Sequence, residues 1–222
     1  MTHPFVSPFA DILRSPGTVG TLVVMITRGR GDLAPVADAM RQSAAEEAGF
    51  ALVARYPAVE AKNRAVALVD RCNSEPYASV GLLLIEDDIL ASETVWRRAL
   101  AHPHSVRLAT TRNRTGSSNT RWKDDGSVLC SGTPFVYVPP AVLGCLPRPI
   151  FQAVNYHLVS DGSIAPREEN AFGRGSDIHF WYLLHQLDPL PRIEVVGEVT
   201  HLLPESGDDR HSLDNPCSVR AA

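Results

Sequence analysis

Three short apolar runs, separated by two segments of helical periodicity, constrain the fold of this chain more than any other feature. The runs cover residues 21–27, 50–55 and 80–85, and each is typical of a buried strand. Residues 32–48 and 59–72 place apolar side chains along one side of a helix. The order strand, helix, strand, helix, strand predicts parallel strands joined by right-handed crossovers, an architecture common in nucleotide-binding proteins.

The second half of the chain is less regular. Its periodic segments predict two helices, at 92–101 and 176–187, and three strands, at 106–110, 135–138 and 193–203, the last as one strand or a pair. Residues 111–133 are polar and lack periodicity. Because structureless connections of this length are uncommon, this stretch predicts a functional loop that could order over a bound ligand.

The sequence shows no internal repeat and no second core, so we expect one α/β domain over residues 21–203. Its central sheet is expected to be mostly parallel, Rossmann-like and flanked by helices. We expect a nucleotide-binding half over about 21–110 and an acceptor half over about 111–203. Residues 1–20 are expected to form an irregular lead-in, and residues 204–222 a polar tail.

Composition narrows the range of environments and partners. The 222 residues carry a net charge of -4, which gives no overall attraction to nucleic acid or to an anionic membrane. The four cysteines lack zinc-ligand spacing, which favours a reducing compartment. No apolar run approaches the ~20 residues of a membrane span, and no signal peptide is visible. We therefore expect a cytoplasmic protein without a membrane span.

Three consecutive carboxylates, Glu86, Asp87 and Asp88, directly follow the third apolar run. Like charges side by side repel, and burying one is costly without a partner. A divalent cation would resolve both problems, and the carboxyl edge of an open α/β sheet is where ligands bind. The alternative is an acidic turn before a helix that Ser92 caps.

A histidine near the end of the last apolar strand, His201, could complete a metal site with these carboxylates. An imidazole together with carboxylates suits Mn²⁺ better than Mg²⁺. By itself, a histidine in a strand is more often a structural residue.

Basic residues stand at the start of the second helix, where Lys62, Asn63 and Arg64 follow one another. Free N–H groups and the positive end of the helix dipole could hold a diphosphate there. The alternative is a solvated basic face.

A carboxylate, Asp177, falls in the first turn of the helix predicted over 176–187, after the glycines of residues 173–175. It could act as a base that the helix start points into a cleft. It could equally stabilise the helix N-terminus together with Ser176.

In this order and spacing, these marks resemble those of the GT-A-type nucleotide-sugar glycosyltransferases, over about 21–203. The resemblance implies a GT-A fold and metal-dependent transfer of a sugar from a nucleoside-diphosphate sugar, with a UDP-sugar favoured. The sugar would move to an acceptor hydroxyl with inversion. The chain departs from the family pattern at Glu86, where Asp is usual, and at Ser176, where many inverting members have Glu.

The resemblance also implies a role for each matching residue. Glu86 would face the ribose, Asp88 and His201 would bind Mn²⁺ or Mg²⁺, and Asp177 would be the catalytic base. The remaining residues expected to contact the nucleotide sugar are Thr27, Arg28, Arg30, Lys62, Asn63, Arg64 and Asp87.

The acceptor is the least determined partner. Basic residues gather around the polar stretch with one tryptophan among them: Arg107, Arg112, Arg114, Arg121, Trp122 and Lys123. They could meet an anionic acceptor, including a nucleic acid with a modified base, or form a solvated loop.

Two other functions compete with the transferase. A sugar-nucleotide nucleotidyltransferase shares the fold type and the metal, but a glycine-rich loop with a lysine is expected after its first strand. The turn here, residues 28–31, has no lysine. A non-catalytic protein that binds nucleotide or carbohydrate would not need Asp177. A metal-stabilised structural domain is a further, simpler possibility.

Overall fold

A computed structural model describes residues 8–27, 34–101, 104–112, 118–154, 156–158, 162–166 and 176–202. The helices are α1 (Ala34–Ala45), α2 (Ala58–Cys72), α3 (Glu93–Leu100), α4 (Pro140–Cys145) and α5 (Ser176–His185). The longer strands are β1 (Phe9–Arg14), β2 (Val19–Thr27), β3 (Gly49–Ala54), β4 (Ser79–Glu86), β6 (Val106–Thr110), β9 (Phe135–Val138) and β12 (Ile193–Glu198). The shorter strands are β5 (Ile89–Leu90), β7 (Arg121–Trp122), β8 (Val128–Cys130), β10 (Tyr156–Leu158), β11 (Ile164–Pro166) and β13 (Thr200–His201).

The longer strands form one seven-stranded sheet in the order β1-β3-β2-β4-β9-β6-β12. β2 runs parallel to β3 and β4, and β6 runs parallel to β12. β9 is antiparallel to both of its neighbours, β4 and β6, and β1 is antiparallel to β3. The expected α/β fold with flanking helices is confirmed, but the sheet is mixed, and the prediction of a mostly parallel sheet is wrong.

The connection between β6 and β9 explains this difference. A parallel neighbour needs a crossover, usually a helix, that carries the chain back to the other edge of the sheet. The described part of the connection instead contains a hairpin of β7 and β8, so β9 starts from the edge where β6 ended. The predicted loop over 111–133 is therefore wrong for residues 121–122 and 128–130. The predicted irregular lead-in is likewise wrong for residues 9–14, which form β1.

Apolar residues of the sheet alternate between two cores, as side chains of successive strand residues must. In β2, Leu22 and Val24 face a cluster that includes α2, α4 and α5. Val23 and Met25 face a second cluster that includes α1 and α3. Helices therefore cover both faces of the sheet. Within the described residues, no helix has the length and apolar character needed to cross a membrane.

We expect Gly49→Ala to destabilise the fold by about 1–3 kcal/mol, because a side chain there overpacks the start of β3. An added Cβ would lie 2.5 Å from the backbone nitrogen of Pro16 and 2.7 Å from its Cα. Urea denaturation would measure the change. The matched control is Gly144→Ala in α4, where a Cβ would meet no atom within 4 Å. This control should be neutral or slightly stabilising, and an equal loss in both variants would contradict the packing argument.

Candidate functional site

The acidic triplet lies at the carboxyl end of β4, between the sheet and the short strand β5. Glu86 is the last residue of β4, and its backbone N–H donates to the carbonyl of Pro134 (3.0 Å). The parallel pairing of β2 with β4 brings Thr27 beside Asp87, and the Thr27 hydroxyl donates to Asp87 Oδ2 (2.6 Å). Two of the predicted nucleotide-contacting residues are thus adjacent at this edge.

The third residue of the triplet contacts the histidine of the last strand. β13 pairs with β5, which sets His201 opposite Ile89, and the backbone N–H of Leu202 donates to the carbonyl of Asp88 (2.6 Å). As a result, Asp88 Oδ2 lies 3.1 Å from His201 Nε2. Asp88 is buried with 8% exposure, whereas His201 is half-buried. The two predicted metal ligands are therefore neighbours.

Asp88 and His201 could supply two donor atoms to a divalent ion. Their separation is that of an ion pair, and it is also close to the about 3.0 Å between two adjacent ligands of an octahedral ion, each at about 2.1 Å. Among the residues that the structure describes, no group of three or more His, Cys, Asp or Glu side chains could hold a metal. The chain would thus provide two ligands, and an ion such as Mg²⁺ commonly takes its remaining ligands from water and substrate phosphates.

A buried lysine joins the acidic triplet to α5. Lys62 lies on α2 with 4% exposure, and its Nζ is 3.2 Å from Glu86 Oε1 and 2.5 Å from Asp177 Oδ1. Nζ also donates to the hydroxyl of Thr133 (2.9 Å). Burial lowers the pKa of Lys62, but the carboxylates of Asp177 and Glu86 outweigh it and raise this pKa to about 12. Lys62 is therefore a charged link between two carboxylates.

Asp177, the predicted base, accepts three hydrogen bonds from two residues. Its carboxylate accepts hydrogen bonds from Lys62, from the hydroxyl of Thr133 (2.7 Å) and from the backbone N–H of Thr133 (3.3 Å). Burial raises the pKa of Asp177, but the Lys62 ammonium and these hydrogen bonds lower it below its ordinary value of 3.8 overall. Asp177 is thus ionised at neutral pH and fixed in position.

A regular series of hydrogen bonds aligns α5 with β8 and the residues that follow it. Trp181 Nε1 donates to the carbonyl of Ser131 (2.6 Å), and His185 Nε2 donates to the carbonyl of Leu129 (2.8 Å). Asp177 likewise contacts Thr133. The contacts therefore join helix residues 177, 181 and 185, which are four apart, to residues 133, 131 and 129 of the extended segment, which are two apart. Four helical residues rise about 6.0 Å and two strand residues about 6.6 Å, so the spacings match.

The other basic residues at the start of α2 do not join Lys62. Asn63 bonds the backbone of Phe151 at both ends of its amide, at 2.8 and 3.2 Å, so it anchors that segment. Arg64 is exposed, pairs with Glu60 and lies 5.1 Å from the ring centre of Tyr56. Consecutive helix residues point in different directions, so the expected joint site for a diphosphate is not formed.

Several predicted features lie outside the described residues. They are Arg28, Arg30, Arg114, the glycines of residues 173–175 and the tail over 204–222.

The basic residues predicted to gather around residues 111–133 lie in different environments in the structure. Arg107 is buried in β6, where its guanidinium donates to the carbonyls of Arg98 and Ala99 at the end of α3. Exposed Arg112 pairs with Glu198 at 2.9 Å. Arg121 and Trp122 are exposed on the hairpin of β7 and β8. The prediction that Arg107 belongs to an accessible patch for an anionic acceptor is therefore wrong.

Sequence reasoning missed Thr133, which binds both Lys62 and Asp177. It ends a polar stretch in which several threonines and serines carry no distinguishing pattern. Its importance comes from the alignment of α5 with β8, which joins residues far apart in the chain.

No family model matches this chain, and no curated protein matches it. Among solved structures, A197 from STIV is similar in fold, with a TM-score of 0.54 at 14% sequence identity. The match covers 84% of this chain and 87% of that chain. At this level of identity the likeness concerns the fold alone.

Proposed function

We propose that this protein is a metal-dependent glycosyltransferase of the GT-A type. It would move a sugar from a nucleoside-diphosphate sugar, with a UDP-sugar favoured, to an acceptor hydroxyl. The observation that carries the proposal is the contact of Asp88 with His201 at the carboxyl end of β4. Two residues from distant parts of the chain meet there as a carboxylate–imidazole pair, next to Glu86 and the buried Lys62–Asp177 pair.

Asp88 and His201 would hold Mn²⁺ or Mg²⁺. The ion would supply positive charge that stabilises the leaving diphosphate. Buried Asp88 needs a charged or hydrogen-bonding partner in any case, and His201 provides one from a half-buried position where a ligand can approach.

Glu86 is suited to bind the donor ribose. Its carboxylate is 21% exposed and contacts Lys62 through Oε1. A carboxylate offers about four acceptor positions, so the contact with Lys62 leaves capacity for ribose hydroxyls. Lys62 would keep the Glu86 carboxylate oriented as the donor binds.

Asp177 would accept the proton of the acceptor hydroxyl. A base must be ionised, and the low pKa of Asp177 ensures this at neutral pH. The same low pKa makes it a weak base, since the best general bases have a pKa near the working pH. This property also favours the second candidate, a non-catalytic nucleotide-binding protein in which Asp177 only pairs with Lys62.

We expect one nucleoside diphosphate to raise the melting temperature in the presence of Mn²⁺ and not with a chelator. At about a hundred times the dissociation constant a ligand stabilises by about 2.7 kcal/mol, which moves the melting temperature by about 5–11 °C. A thermal-shift panel of UDP, GDP, CDP, dTDP and the nucleoside triphosphates would identify the base. Asp88→Asn and His201→Gln should remove the Mn²⁺ dependence, because each loses a metal ligand.

Exposed residues of the same types provide matched controls, Asp124→Asn and His104→Gln, and both should behave as wild type. A shift with triphosphates alone would instead indicate a nucleotidyltransferase. If a nucleotide raises the melting temperature of Asp88→Asn with the same Mn²⁺ dependence as in wild type, Asp88 is not a metal ligand. No shift with any nucleotide would reject the proposed function.

A further inference from the structure

Three rings form a cluster between β10 and α5, apart from the carboxylates described above. Tyr156 and Tyr182 have ring centres 5.1 Å apart, and His179 lies 5.9 Å from the first and 6.4 Å from the second. The interplanar angles are 35°, 36° and 28°. Both tyrosines are half-buried and His179 is buried, so the tyrosines are the more accessible members of the cluster.

The hydrogen bonds within the cluster fix which atoms face a ligand as acceptors. His179 bonds the backbone of Pro149, whose carbonyl can only accept, so one ring nitrogen of His179 carries a proton. Burial lowers the pKa of His179, which favours the neutral ring. Its Nδ1 is then an acceptor, and the hydroxyl of Tyr156 donates to it. The phenolic oxygen of Tyr156 keeps its lone pairs for a ligand that donates.

Tyr156 is also uncharged near neutral pH. Burial raises the pKa of Tyr156 to about 12, and the proximity of Tyr182 acts in the same direction. Among the described residues, the cation–π contacts are to Phe151 and Tyr56 and none is to these rings. Aromatic faces of this kind suit a neutral ligand that has apolar C–H surfaces and hydroxyl donors. A phosphate-bearing ligand would call for basic side chains instead.

We propose that Tyr156 and Tyr182 bind a neutral glycoside, with a pyranose ring against the tyrosine faces and a sugar hydroxyl donating to the Tyr156 oxygen. The site lies between β10 and α5, the helix whose first turn carries Asp177. That this glycoside is the acceptor of the reaction rests on the proposed function. Glycoside binding itself does not require a nucleotide or a metal.

Saturation-transfer NMR with methyl glycosides of glucose, galactose, mannose and N-acetylglucosamine would test the site, with and without UDP and Mn²⁺. We expect at least one glycoside to bind. Tyr182→Leu, which removes a ring but keeps apolar volume, should weaken binding about tenfold. Tyr156→Phe, which removes only the hydroxyl, should weaken it about fivefold. Tyr77→Leu is the matched control, since Tyr77 is 97% exposed elsewhere on the surface and should leave binding unchanged.

Melting curves would show that each variant is folded before its affinity is compared. The site assignment is overturned if no glycoside binds under either condition, or if both tyrosine variants bind as well as wild type. It is also overturned if a dT oligonucleotide binds through Tyr182 and the glycosides do not. Glycoside binding without any nucleotide shift would keep this site and reject the transferase, so the two failures are distinguishable.

Discussion

Replacing Lys62 by methionine is expected to lower the free energy of unfolding by about 3–5 kcal/mol, the cost of removing one partner from a buried ion pair. Methionine matches the length of the side chain but not its charge. Without the ammonium, Glu86 and Asp177 would face each other as like charges at a site where Lys62 was 4% exposed. Urea denaturation at neutral pH would measure the loss.

Arg64→Met provides a control two residues further along the same helix. Arg64 is 52% exposed and its ion pair with Glu60 is on the surface, so the loss there should be below about 1 kcal/mol. Equal losses in the two variants would mean that the buried cluster contributes no more than a surface contact.

The difference between wild type and Lys62→Met should depend on pH in a defined direction. The pKa of Asp177 is lowered below 3.8 in the folded protein, so its contribution is present above about 4 and is lost as pH falls through the lowered value. The pKa of Lys62 is raised from 10.5 to about 12, so its contribution is present below 10.5 and is lost as pH rises through about 12. The difference should therefore be largest between these limits.

Asp177→Asn is expected to reduce sugar transfer by about 10²–10⁴-fold, because a carboxamide cannot accept the proton of the acceptor. Asparagine keeps the shape of the side chain, and Lys62 keeps its contact with Glu86. Nucleotide binding with Mn²⁺ should therefore persist. The measurement is release of nucleoside diphosphate from the matching sugar nucleotide, together with the thermal shift of the same variant.

The control for this substitution is Asp124→Asn, at an exposed position in the turn between β7 and β8. Its rate should equal that of wild type. If Asp177→Asn turns over normally, another group takes the proton. If neither wild type nor variant turns over any sugar nucleotide while the nucleotide shift remains, the chain is a nucleotide-binding protein.

The sequence predicts a strand or helix best where the residues of that element alone carry a clear pattern. The strands β2, β3 and β4 are long apolar runs, and α2 has a continuous apolar side, so all four were predicted within a few residues. The edge strand β1 was missed because its apolar and polar residues do not alternate, since Phe9 and Leu13 lie on the exposed side. Its partner, β3, is also remote in sequence. The two-residue strand β5 is too short to leave a pattern, whereas β13 falls within the strand or strand pair predicted over 193–203.

The candidate site likewise contains one contact that was predicted and one that was not. The Asp88–His201 contact was expected from the resemblance, and the pairing of β5 with β13 provides it. The position of Lys62 was not expected, because a helix start usually exposes a lysine. Its two carboxylate partners come from β4 and α5, and only the packing of these elements reveals that the charge is buried.

The hydrogen-bonding residues on α5 and those on residues 129–133 have matching spacings. This match limits insertions and deletions in residues 129–133. Deleting or adding one residue in that segment would turn alternate carbonyls away from Trp181 and His185 and displace Thr133 from Asp177. A natural relative with an insertion there would have to repack the whole helix. The turn at residues 123–127 between β7 and β8 lies outside this hydrogen-bonded segment. Related chains can therefore lengthen or shorten there and keep the carboxylate of Asp177 in the same position.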